Sequence, residues 1–169
     1  MAHSFSWRSP TSSQLLEVAG QTIVPESKVE RRGRGGSASP KLLAVDDDPL
    51  VLRTLQRMLK ATRPTWAITG APDGQTALRL LGTEHFDVLL TDLDMPGMRG
   101  EELLEAALDI DPALTCVVHS GQIEVLKPAL RSKLSGILGK PATMAELSEA
   151  LDNSVAASRR GRLKAMPLV

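Results

Sequence analysis

The chain has 169 residues, 42 % hydrophobic and 24 % charged, with a formal net charge of zero, which suits a globular protein and argues against a wholly basic nucleic-acid binder. No stretch reaches the roughly 18 consecutive apolar residues of a membrane span, and the N-terminus lacks a charged start followed by an apolar run, so a cytoplasmic protein without a signal peptide is expected. A single cysteine excludes an internal disulfide, and Cys116, inside LTCVVHS, reads as a small buried hydrophobe.

Residues 1–40, rich in Ser, Gly and Pro and carrying ERRGRGGSASP, offer little apolar area to offset chain entropy. A disordered N-terminal extension is expected there. KLLAV (41–45) is a short apolar run that ends in Asp46, Asp47 and Asp48. A helix follows with Leu50, Val51, Leu55, Met58 and Leu59 at helical spacing; Asp48 then Pro49 fit its cap and first position. TWAITG (65–70) reads as a strand and DGQTALRLLG as a helix capped by Asp73. FDVLLT (86–91) is a strand, and Gly100 precedes the helix EELLEAALD. LTCVVH (114–119) is a strand. GQIEVLKPALRSKL is helical with Pro128 expected to kink or split it. GIL (136–138) is a very short strand, and TMAELSEALDNSVAAS is a last helix opened by a Thr143–Glu146 capping box. Residues 159–169, starting RRGRLK, read as a basic flexible tail. Both basic runs are best taken as solvated, because no aromatic residues are interleaved with them.

Five strand–helix units with continuous apolar strands imply an α/β fold: a doubly wound, five-stranded parallel sheet covered by helices on both faces. Right-handed crossovers place the C-terminal ends of all strands on one rim, where open α/β sheets bind ligands. Polar residues converge on that rim: Asp46, Asp47 and Asp48 after the first strand, Asp92 and Asp94 after the third, Ser120-Gly121 after the fourth, and Lys140-Pro141 after the fifth. Clustered carboxylates repel one another unless a cation joins them. Hard oxygen ligands open to water suit Mg²⁺. A lysine and a hydroxyl beside them could hold phosphate oxygens, so the set fits phosphoryl transfer to a carboxylate.

The order DDD-P, DVLLTDLDMPGMRG, VVHSG and GILGKP resembles the receiver domain of two-component response regulators over about residues 41–158. The resemblance implies the strand order 2-1-3-4-5. It assigns Asp92 as the phosphoacceptor, Asp47 as a direct Mg²⁺ ligand and Asp46 as its neighbour acting through water. Asp94 stands where the family uses a backbone carbonyl as metal ligand. Ser120 matches the switch hydroxyl, Gly121 the small residue beside it and Lys140 the conserved-type lysine, with Pro141 following a cis peptide. It further implies a phosphorelay role: a phosphoryl group arriving from a sensor histidine kinase or a histidine phosphotransfer protein, self-catalysed phosphorylation and dephosphorylation rather than steady turnover, and a switched surface for a downstream protein. Asp48 is read as a cap only, and His85 and His119 as local packing or turn residues.

The chain departs from the family where an aromatic often precedes the lysine by three residues; here that place is Ile137, smaller and stiff at χ1. Pro128 interrupts the fourth helix on the same side, so intact phosphorylation chemistry with an unusual output surface is expected. A stand-alone receiver without a DNA-binding domain is also expected. Two other readings compete with it. A scaffold that binds partners without phosphorylation is the lesser alternative, kept open by Ile137 and the interrupted fourth helix. A Mg²⁺-dependent aspartyl phosphatase is suggested by Asp92-Leu93-Asp94, but that motif belongs on a first strand with Thr or Val soon after, whereas here Asp46 and Asp47 come first and Pro96 follows.

Overall fold

The computed structural model describes residues 39–165. In chain order it contains β1 (Lys41–Val45), α1 (Pro49–Thr62), β2 (Ala67–Ala71), α2 (Gly74–Thr83), β3 (Val88–Thr91), α3 (Gly100–Ile110) and β4 (Thr115–Ser120). A 3-10 turn at Ile123–Val125 follows, then the short α4 (Pro128–Arg131), β5 (Gly136–Gly139) and α5 (Met144–Ala165). The strands form one parallel sheet in the order β2-β1-β3-β4-β5, as the resemblance implies.

The three inner strands, β1, β3 and β4, bury both faces, which is why their sequences are largely apolar and do not alternate, whereas the edge strands β2 and β5 stay partly exposed. Leu43, Val45, Leu89, Cys116 and Val118 pack with Ala77 and Leu81 of α2 and Leu103 and Leu104 of α3. Leu42, Val88, Leu90 and Val117 point the other way, onto Leu55 and Leu59 of α1 and Leu147, Leu151 and Val155 of α5. Each such leucine contributes about 1.5–3 kcal/mol on burial. Burial also pushes the Cys116 thiol up to about 12, so it is inert packing, as its sequence context indicates. Arg63 at the end of α1 ties the α1 layer to α5 through a two-pronged contact with Asp152, at 3.2 and 2.8 Å.

The helix starts follow the sequence signals. The Asp48 carboxylate accepts from Leu50 N–H at 2.8 Å with Pro49 next in line, and Asp73 accepts from Thr76 N–H at 2.6 Å. Thr143 and Glu146 exchange the bonds of a capping box. Pro128 divides the segment after β4, as expected. It holds Lys127 at φ −59°, ψ 136°, outside the helical region, and α4 keeps only four residues.

One boundary needs correction. Residues 159–165, expected within a flexible basic tail, continue α5. Arg162 explains the extension: its guanidinium donates to the Phe86 carbonyl at 2.9 Å and lies 3.5 Å from Asp111. Residues 166–169 and the expected disordered segment, apart from Ser39 and Pro40, lie outside the described residues. Among the described residues, no helix is long and apolar enough to cross a membrane.

Candidate functional site

The parallel register brings the strand tips to one rim. Val45 stands beside Thr91, Thr91 beside Val118, and Ser120 beside Gly139, so the residues that follow each strand are neighbours. Asp92 N–H donates to the Val45 carbonyl at 3.1 Å, and Lys140 N–H to the Ser120 carbonyl at 2.9 Å. These bonds carry the sheet pairing one step past the strands, into the site.

Asp46, Asp47 and Asp92 each offer a carboxylate oxygen within 4.8 Å of the others. Asp46 and Asp92 are buried, whereas Asp47 is exposed. The Lys140 ammonium donates to Asp46 Oδ2 at 2.8 Å and to Asp92 Oδ2 at 2.5 Å. The other Asp92 oxygen, Oδ1, accepts two backbone N–H groups, from Leu93 at 2.6 Å and from Asp94 at 3.2 Å. Burial, the largest influence on Asp92, raises its pKa. The hydrogen bonds from Lys140, Ser120 and Asp94 N–H together outweigh that effect and hold the carboxyl below its ordinary value. Lys140 shows the mirror case: burial disfavours its charge, but Asp46 and Asp92 overcome this and raise its pKa. The site is therefore built to keep Asp92 ionised and Lys140 protonated.

Ser120 is fully buried, and its hydroxyl accepts from Gln122 N–H at 3.3 Å. The Asp94 side chain turns away from the carboxylate cluster and accepts from Gln122 Nε2 at 3.3 Å. Lys140-Pro141 is a cis peptide. Ile137 lies half-buried against the core on the α2–α3 side of the sheet. His119 Nδ1 is buried without a hydrogen-bond partner, and burial together with the Lys140 charge lowers its pKa, as befits a neutral packing residue. His85 sits 3.7 Å from Asp87 and 3.6 Å from Asp111, before the N-terminal end of the central strand β3 and so at the end of the sheet opposite the site.

The donor set suits a small hard dication: two buried carboxylates and one exposed carboxylate, with water access on the Asp47 side. Sequence reasoning anticipated that set and Lys140, but three supporting residues escaped it. Gln122 bridges to Asp94. The Thr91 hydroxyl bonds the Asp92 carbonyl at 2.8 Å. Gly100 lies against the same carbonyl, where an added Cβ would stand 2.1 Å from Asp92 O. Only Gly100 had a sequence signal, its position just after a proline–glycine turn.

Comparison with known proteins agrees with this geometry. The response regulator receiver domain model matches residues 42–152. The two-component response regulator ARR10 of Arabidopsis thaliana is 36 % identical over 128 residues, covering 73 % of this chain and 22 % of that protein. The chain spans about a fifth of the length of such plant regulators. The chemotaxis protein CheY of Pseudomonas aeruginosa is 32 % identical over 117 residues, covering 66 % of this chain and 93 % of that protein. A receiver domain protein from Clostridium thermocellum superposes with a TM-score of 0.65 at 23 % identity, covering 72 % of this chain and 98 % of that one. By sequence, sheet order and the arrangement of its acidic rim, the chain belongs to the response regulator receiver domain family.

Proposed function

We propose that this receiver takes a phosphoryl group onto Asp92 and uses it to switch a protein–protein surface. The observation that carries the reading is the Asp92 carboxylate held ionised between Lys140 and two backbone N–H groups, inside a three-carboxylate cluster. Asp46, Asp47 and Asp92, with the backbone carbonyl of Asp94, would hold Mg²⁺. The ion would neutralise the cluster and the charge on the incoming phosphoryl oxygens. An Asp92 carboxylate oxygen attacks phosphorus. The O–P bond forms while the donor's bond to phosphorus breaks, and the donor leaves with that electron pair. Lys140 supplies a fixed positive charge beside the equatorial oxygens, and Ser120 a hydroxyl that can follow the new group. The donor would be a histidine kinase or a histidine phosphotransfer protein, with an unidentified downstream protein as target.

The test is incubation with Mg²⁺ and acetyl phosphate, followed by intact mass and base treatment. A single adduct is expected that survives acid, is lost in base, and is absent from Asp92→Ala. No adduct in the unaltered chain would favour a scaffold that works without phosphorylation. Continuous phosphate release from many esters would point to a phosphatase.

A further inference from the structure

Asp92 is oriented by more than the residues that touch its carboxylate. The peptide between Asp92 and Leu93 is gripped on both sides. Its N–H donates to Asp92 Oδ1 at 2.6 Å. Its carbonyl, the Asp92 O, accepts from the Thr91 hydroxyl at 2.8 Å. Thr91 is fully buried at the end of β3, between Val45 and Val118 in the sheet register, where an idle hydroxyl would be costly. Gly100 closes the other side: its N–H donates to the Leu93 carbonyl at 3.0 Å, and only a missing side chain lets the Asp92 carbonyl lie so close.

A peptide group is planar, so fixing its carbonyl also fixes the direction of its N–H. We infer that Thr91 is a positioning residue, which sets the Asp92–Leu93 peptide plane through the Asp92 carbonyl and thereby aims the Leu93 N–H at Asp92 Oδ1. The carboxylate is then left with Oδ2 toward Lys140. Without the hydroxyl, that plane is free to tilt, and Oδ1 loses its shortest backbone donor.

The inference rests on the phosphoacceptor reading only for its kinetic consequence. Thr91→Val keeps the shape and removes the hydroxyl, and Thr91→Ser restores it. In the unphosphorylated protein, hydrogen exchange at the Leu93 amide should quicken about tenfold in Thr91→Val and stay near the unaltered rate in Thr91→Ser, about the effect of losing one hydrogen bond. With Mg²⁺ and acetyl phosphate, Thr91→Val should phosphorylate about tenfold more slowly at saturating donor, with the half-saturating donor concentration unchanged, and Thr91→Ser should recover the rate. An unchanged Leu93 amide in Thr91→Val, or a serine variant as slow as the valine one, would overturn the inference. If the unaltered chain takes no phosphoryl group, the phosphoacceptor reading fails, and the amide measurement still decides the role of Thr91.

Discussion

Lys140 and Asp92 lie 48 residues apart in the chain, yet the lysine ammonium sits 2.5 Å from the aspartate Oδ2. The same ammonium also neutralises Asp46, so one cation serves two buried carboxylates. Replacing it by an apolar side chain leaves both carboxylates without their partner. Lys140→Met should lose about 2 kcal/mol of stability in metal-free buffer, below the full cost of breaking a buried pair because the site is partly open. Added Mg²⁺ should raise the Tm of this variant more than that of the unaltered protein, and Asp47→Ala should blunt the rise in either background. Differential scanning fluorimetry with and without Mg²⁺ measures all of this; equal shifts in every variant would contradict the proposed ligand set.

Two glycines should respond oppositely to alanine. At Gly100 a new Cβ would meet Asp92 O at 2.1 Å and Leu93 Cα at 2.7 Å, both backbone atoms that cannot swing aside. Gly100→Ala should cost about 2 kcal/mol or more and slow phosphorylation, because the displaced backbone is that of Asp92 itself. At Gly82, in α2, a Cβ meets nothing within 4 Å, and alanine should stabilise by about 0.5–1 kcal/mol. Urea unfolding of both variants checks the contrast.

Asp73 caps α2, and the Thr76 N–H that it accepts holds its carboxyl below the ordinary aspartate value. In the unfolded chain the pKa returns to about 3.9. A lowered folded pKa means a contribution that is present above the unfolded value and lost as pH falls through the folded one. Asp73→Ala should therefore cost about 1 kcal/mol at pH 7, as cap removals do. The Tm gap between variant and parent should shrink below about pH 4. A gap of constant size from neutral to acid pH would exclude the ionised cap.

The far end of α5 should depend on Arg162. This side chain donates to the Phe86 carbonyl at 2.9 Å, contacts His85 Nδ1 at 3.2 Å and pairs with Asp111 at 3.5 Å. It therefore holds the last two turns against the N-terminal end of the central strand β3. Arg162→Ala should lower stability by about 1 kcal/mol, since the side chain is partly exposed, and should speed amide exchange in residues 158–165. Exchange as slow as in the parent would show that the helix needs no such anchor.

The elements and the rim were legible in the chain because their signals are local. KLLAV and VLLT are unbroken apolar runs, Asp48, Asp73 and Thr143 stand at helix starts, and Pro128 marks the split before α4. Alternation of strands and helices then forces the aspartates and Lys140 to one edge, because parallel strands all end on the same side. Gly97, directly after Pro96, adopts φ +84°, the turn conformation that glycine takes without steric cost.

By itself, then, the sequence determined the order of elements, the parallel sheet and which residues gather at its C-terminal rim, since short-range periodicity and crossover handedness suffice for these. Only the tertiary structure decided which atoms meet there. Lys140 bridges Asp46 and Asp92 across 94 and 48 residues of chain. Arg162 turns an expected tail into helix by reaching back to Phe86, and the buried Thr91 hydroxyl finds the Asp92 carbonyl. Such contacts depend on how the backbone lies once the sheet has closed, and no spacing along the chain encodes that geometry.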